Sequence, residues 1–144
     1  MLTGVGVGAA NASSVHSSGR AARKAVEQAR EQVDGAIGSR AQDIIFTSGG
    51  TEADALAIHG VVTALAGKCT LLVSAIEHEA VTKAAAHCGA MVQTVYVGTD
   101  GTGDSEDLKA RMERWDAGVL GTPVVCLVLA NYATGVFMPV RESA

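Results

Sequence analysis

An α/β fold, with a mainly parallel sheet and helices on both faces, is predicted by three observations. Short apolar runs of strand length alternate with segments of helical period, so successive strands must run the same way, joined by crossover helices. Aromatic residues make up 3% of the 144 residues while 48% are hydrophobic, which leaves Val, Ala, Leu and Ile to fill a closely packed layer between sheet and helices. The run Val124-Val125-Cys126-Leu127-Val128-Leu129 is apolar at every position, the pattern of a strand covered on both faces, and it is expected to lie centrally.

The elements follow in order. Residues 1–10 contain Gly4, Gly6 and Gly8, which raise the entropy cost of ordering the backbone, so a flexible N-terminus is expected. From Ser18, the residues Ala22, Val26, Ala29, Val33 and Ile37 recur at helical spacing and Gly38 supplies a stop. Asp43–Thr47 reads as a short strand, Ser48-Gly49-Gly50 as a turn, and Thr51 to about Ala66 as a second helix. The strand–helix pattern repeats in Thr70–Ser74 with Glu79–Cys88, and in Met91–Val97 with Asp104 to about Trp115. Pro123–Asn131 closes the series as a strand.

Composition excludes several partners. A net charge of -4 with 18% charged residues offers no basic face for nucleic acid or an anionic membrane. Cys69, Cys88 and Cys126 are widely spaced and odd in number, so neither a disulfide framework nor a metal site is indicated, and a reducing cytoplasm is the expected location. No Lys or Arg precedes an apolar stretch at the N-terminus, which argues against a signal peptide, and the longest apolar run, Val124–Ala130, is too short to span a bilayer. Cys126, set among Val and Leu, is expected to be a buried, inert thiol.

Ligands of such sheets gather beyond the C-terminal strand ends, so the segments after Thr47, Ser74 and Leu129 are the places to search. Thr47-Ser48-Gly49-Gly50-Thr51-Glu52 sets two glycines and a hydroxyl where the chain enters a helix, an arrangement whose free N–H groups attract phosphate. Thr51-Glu52-Ala53-Asp54 is equally a plain capping box. Ile76-Glu77-His78-Glu79 puts an imidazole between two carboxylates, where it could stack on or protonate a bound ring, or simply cap a helix. Leu129-Ala130-Asn131-Tyr132-Ala133-Thr134-Gly135 ends an apolar run in polar groups that either reach a ligand or form a turn. Gly4-Val5-Gly6-Val7-Gly8 is no nucleotide loop, because no strand precedes it and no Lys-Ser or Lys-Thr follows.

Taken in order, these segments resemble the class V aminotransferase family, specifically the cysteine desulfurases and the similar selenocysteine lyases. Asn11-Ala12-Ser13-Ser14-Val15-His16 is similar to that family's Asn-Pro-Ser-Ser-x-His segment, and Asp43–Glu52 is nearly its own wording. Ala75-Ile76-Glu77-His78-Glu79-Ala80-Val81 continues the likeness. The resemblance implies a fold type I large domain over residues 11–144 that binds pyridoxal 5'-phosphate, with Gly50 and Thr51 at the phosphate and His78 against the pyridine ring as the catalytic histidine. It further implies L-cysteine or selenocysteine as substrate, L-alanine as product, and sulfur passed through an enzyme cysteine to an acceptor or scaffold protein, as in iron–sulfur cluster assembly. A homodimer is implied for the complete enzyme.

Two departures from the family pattern shape the expectation. The sequence reaches Ala144 without the family's cofactor lysine, pyridine-facing aspartate or sulfur-accepting cysteine, and Lys24, Lys68, Lys83 and Lys109 match no cofactor lysine. The opening Asn-Ala-Ala-Thr-Thr segment is missing as well, so the domain is read as trimmed at both ends and the isolated chain as inactive. Where the family reads Ala-Asn-Asn-Glu-Thr-Gly, this chain reads Ala130-Asn131-Tyr132-Ala133-Thr134-Gly135, which puts Tyr132 at the position that contacts the ring hydroxyl. The alternatives are a non-enzymatic truncated or degenerate paralogue and a selenocysteine lyase-like enzyme.

Overall fold

The computed structural model describes residues 11–98, 101, 105–138 and 140. The chain divides after Phe46 into two units, Met1–Phe46 and Thr47–Ala144. The flexible segment expected over residues 1–10 lies outside the described residues.

The first unit is built on α1 (Ser17–Ile37), which the apolar spacing predicts closely. His16 caps its start, Nδ1 accepting from the Gly19 N–H at 3.3 Å, and Gly38 ends it in the left-handed region at φ 67°. Asn11 Oδ1 accepts from the Ser13 N–H at 2.9 Å, so the Asn-x-Ser-Ser-x-His segment organises the entry to the helix. The predicted strand Asp43–Thr47 does not form. Ala41–Asp43 is a single 3-10 turn, and the residues after it are extended without a ladder partner among the described residues. Arg30 takes up that segment instead, its guanidinium donating to the Ile44 carbonyl and lying 5.2 Å from the centre of the Phe46 ring. A β-prone run becomes a strand only where a neighbour completes its hydrogen bonds.

The second unit carries the sheet. Helix α2 (Gly50–Ala64) leads to β1 (Cys69–Ser74), α3 (Glu79–His87), β2 (Met91–Val95), α4 (Ser105–Glu113), a one-turn α5 (Ala117–Leu120) that the pattern does not predict, and β3 (Thr122–Cys126). Both strand pairings are parallel, in the order β2-β1-β3. Every residue of β1 is buried, and its side chains divide by parity. Cys69, Leu71 and Val73 join Ile58 and Val62 of α2 and Ala84 and Ala85 of α3 on one face, while Leu72 meets Val95 and Leu108 of α4 on the other. The predicted helix-covered sheet is therefore observed on both faces.

The expectation that Val124–Leu129 lies centrally is corrected: the central strand is β1, and β3 flanks it. The strand is also shorter than predicted, ending at Cys126. Val124 and Cys126 pack on one cluster and Leu127 on the other, whereas Val125 is 39% exposed. A continuous apolar run reports cover above and below the sheet and says nothing of place across it. The corner before β3 is held tightly. Gly121 has φ 69°, and a Cβ there would lie 2.4 Å from the Lys68 carbonyl oxygen, so only glycine lets the chain approach the start of β1. Trp115 Nε1 donates to the Gly121 carbonyl at 2.8 Å and Thr70 Oγ1 to that of Leu120 at 2.7 Å.

Candidate functional site

Of the polar segments singled out in the second unit, those around His78 and Asn131–Tyr132 meet where β1 and β3 end. Beyond Ser74 the chain turns through Ala75–Glu77, and His78 caps α3, Nδ1 accepting from the Ala80 N–H at 3.1 Å. The capping reading of this histidine is thus realised. It has a chemical consequence: with Nδ1 committed as acceptor, the neutral ring carries its proton on Nε2. The ring is exposed and its centre lies 6.1 Å from that of Tyr132, with the planes inclined at 58°.

Tyr132 itself is 85% exposed, but the residue before it is buried. Asn131 Nδ2 donates to the Ile76 carbonyl at 3.1 Å, and Oδ1 accepts from the Ala133 and Thr134 N–H groups at 2.9 and 3.1 Å. The Leu129–Gly135 segment therefore does form a turn, and within it both polar atoms of the Asn131 amide are engaged while the side chain of Tyr132 is exposed.

A concavity of about 470 Å³ lies beside this pair. Asp54 of α2, Glu77 and His78 supply its polar wall; Ala57, Ile58 and the residues Val125–Val128 supply the apolar one. Glu77 is half-buried and its Oε1 has no hydrogen-bond partner. Burial pushes its carboxyl above the usual range, the backbone N–H groups of Val128 and His78 pull it down, and Asp54 adds to the rise. Cys126 also faces this space. It is half-buried rather than buried as predicted, yet burial first, then Glu77 and Cys88, push its thiol up, which keeps it a poor nucleophile.

Gly50 and Thr51 open α2, and Asp54 is one turn further along, about 6 Å down the helix axis. The capping box proposed for Thr51–Asp54 does not form. The N-cap is Gly49, no side chain caps the helix, and Thr51 already lies inside its first turn. Glu52 reaches back instead to Ser48, accepting from its N–H at 2.7 Å and its hydroxyl at 2.6 Å, and these bonds hold its carboxyl below the usual range. The amides of Gly50 and Thr51 belong to the helix's first turn, before the intrahelical ladder begins with the Ala53 N–H on the Gly49 carbonyl at 3.1 Å.

Sequence reasoning named His78 and Tyr132 separately, and the fold brings them together. It missed Asp54 and Glu77 as co-lining carboxylates and Asn131 as the link. The signal available for Asn131 was a single polar residue following an apolar strand run. Among the described residues no group of His, Cys, Asp and Glu has the arrangement of a metal site, and no helix is long and apolar enough to cross a membrane.

The sequence profile of the family described as Aminotransferase class-V matches residues 6–144. The chain is 36% identical over 136 residues to the cysteine desulfurase IscS of Dictyoglomus turgidum, a match covering 92% of this chain and 33% of that protein. It is 34% identical over 140 residues to the IscS-like cysteine desulfurase of Mycobacterium tuberculosis, covering 92% and 35% respectively. The crystal structure of DndA from Streptomyces lividans superposes with a TM-score of 0.74 at 34% identity, over 92% of this chain and 37% of that one. The chain spans about a third of the length of these relatives. With the family profile matched almost throughout and the α/β layers of the fold type I group in place, the chain belongs to the class V aminotransferase family.

Proposed function

We propose that this chain forms the phosphate- and ring-binding part of a pyridoxal-phosphate-dependent cysteine desulfurase, acting on L-cysteine to give L-alanine. The observation that carries the reading is the opening of α2, a helix N-terminus with no side-chain cap, one turn from a concavity that His78 lines. A phosphate dianion suits the amides and dipole at Gly50 and Thr51. The exposed imidazole of His78, pinned at Nδ1 and lining the concavity, suits a face against a pyridine ring. The bound cofactor would supply an electron sink for breaking a bond at the substrate's amino-bearing carbon.

The chain's own groups do the rest. His78 holds a proton at Nε2 while its Nδ1 is pinned by Ala80, so its orientation is set by the start of α3. Tyr132 presents a phenol beside that ring where the family carries an asparagine amide. Ala57, Ile58 and Val125–Val128 give one side of the space an apolar lining. Cys126, half-buried with its thiol pushed up by burial, lacks the thiolate character of a sulfur-accepting cysteine.

Replacing the corresponding third of the Dictyoglomus turgidum enzyme with this chain tests the reading. The chimera is expected to bind pyridoxal phosphate and release alanine from L-cysteine, and Tyr132→Asn is expected to raise turnover roughly tenfold, the equivalent of one hydrogen bond in a closed site. A folded chimera that holds the cofactor yet forms no alanine with either residue at 132 would favour the non-enzymatic alternative.

A further inference from the structure

We propose that Asn131 is a positioning residue, its buried amide tying the turn that carries Tyr132 to the loop that carries His78 and so setting the spacing of the two rings. Asn131 is 9% exposed, and its three side-chain hydrogen bonds go to two places far apart in sequence. Oδ1 holds the Ala133 and Thr134 amides at 2.9 and 3.1 Å, which shapes the turn. Nδ2 donates across to the Ile76 carbonyl at 3.1 Å, two residues before His78. The backbone closes the turn around it: the Asn131 N–H donates to the Val136 carbonyl at 2.9 Å and the Gly135 N–H to that of Asn131 at 2.8 Å. Tyr132 is 85% exposed, so packing of its own does little to hold its ring 6.1 Å from that of His78. The Nδ2 bond ties the turn itself to the His78 loop, beside the Val128 N–H that the Glu77 carboxyl takes at the strand end, and a turn-forming role alone would not need it.

The functional consequence rests on the reading of His78 and Tyr132 as ring-binding groups, whereas the tie itself does not. Nuclear magnetic resonance of the labelled 144-residue chain separates the two. In the unmodified chain the Asn131 Nδ2 protons are expected to exchange slowly with solvent; exchange at the rate of an exposed amide would overturn the tie without any variant. Asn131→Asp keeps an acceptor for the Ala133 and Thr134 amides but has no donor for Ile76, and the hydroxyl of Asn131→Ser keeps an acceptor but is too short to reach Ile76. Both are expected to retain protection of those two amides while the cross-relaxation between the His78 and Tyr132 rings is lost. Undiminished ring-to-ring cross-relaxation in either folded variant would reduce Asn131 to a turn former. Pyridoxal phosphate titration of the chimera then reports on the dependent step: affinity in its Asn131→Ser variant is expected to fall roughly tenfold, the worth of one positioning bond. Failure of the unmodified chimera to bind the cofactor would count against the functional reading and leave the ring measurement to decide the tie.

Discussion

Helices α2 and α3 pack against each other but begin in opposite ways. The α2 segment, rich in hydroxyls and glycine, looks built for capping, and no side chain caps it. The α3 segment looks built for chemistry, and its histidine is the cap. The difference lies in where the hydroxyls fall. Thr51 is already helical, Thr47 Oγ1 is turned to the Gly49 carbonyl at 3.1 Å, and Ser48 is engaged by Glu52, so nothing is left for the first amides. At α3 the imidazole spends one nitrogen on the helix and keeps the other. An open end suits an anion; a capped end orients a ring.

The largest expected effect comes from filling the open end. Thr51→Glu places a carboxylate in the first turn of α2, where it competes with a phosphate for the same amides and dipole. Pyridoxal phosphate affinity of the chimera is expected to drop at least about tenfold, while the melting temperature of the unliganded 144-residue chain rises slightly because an acid at a helix N-terminus adds about 0.3–1 kcal/mol. Isothermal titration and calorimetry read the two together. Unchanged affinity would mean the anion binds elsewhere, and the contrast between the helices would lose its functional meaning.

A smaller effect is expected from removing the cap. His78→Ala should cost about 1 kcal/mol of stability, the usual worth of an N-cap side chain, and His78→Asn should restore it without restoring a ring beside Tyr132. Denaturant unfolding of the three proteins separates cap from ring. Equal stability of the alanine variant would show that the Ala80 N–H is satisfied equally well without the imidazole.

The smallest effect concerns Glu52, which is fully exposed and held below its ordinary value of 4.5 chiefly by the Ser48 hydroxyl. A carboxylate with a lowered value in the fold stabilises it above the unfolded value and loses that contribution as pH falls through the lowered one. Acid unfolding curves of the native chain and Glu52→Gln should therefore differ at neutral pH and converge as the pH falls below 4.5 and through the lowered value. Parallel curves across the whole range would mean that the Ser48 bonds do not depend on charge.

How much was legible in the sequence varies by element. The helix Ser17–Ile37 and its stop at Gly38 could be read almost to the residue, because helical period and a left-handed glycine are local signals. The strand β1 and the helix after it were equally plain. Asp43–Thr47 misled, since the same apolar pattern serves a strand or an unpaired extended segment, and only the presence of a neighbour decides. Val124–Leu129 misled for a related reason: its composition records helices above and below, and the order β2-β1-β3 depends on which side of β1 the returning chain takes.

The site divides in the same way. Which residues are candidates for chemistry, His78 above all, and the resemblance of their segments to one family were properties of the sequence alone, because short motifs at strand ends are written in consecutive residues. That His78 meets Tyr132, that Glu77 keeps an unpartnered buried oxygen, and that Asn131 spends its amide on Ile76 were decided by tertiary structure. A hydrogen bond between residues 55 apart has no local signature, because it exists only once two parallel strands have brought their ends to the same edge of the sheet.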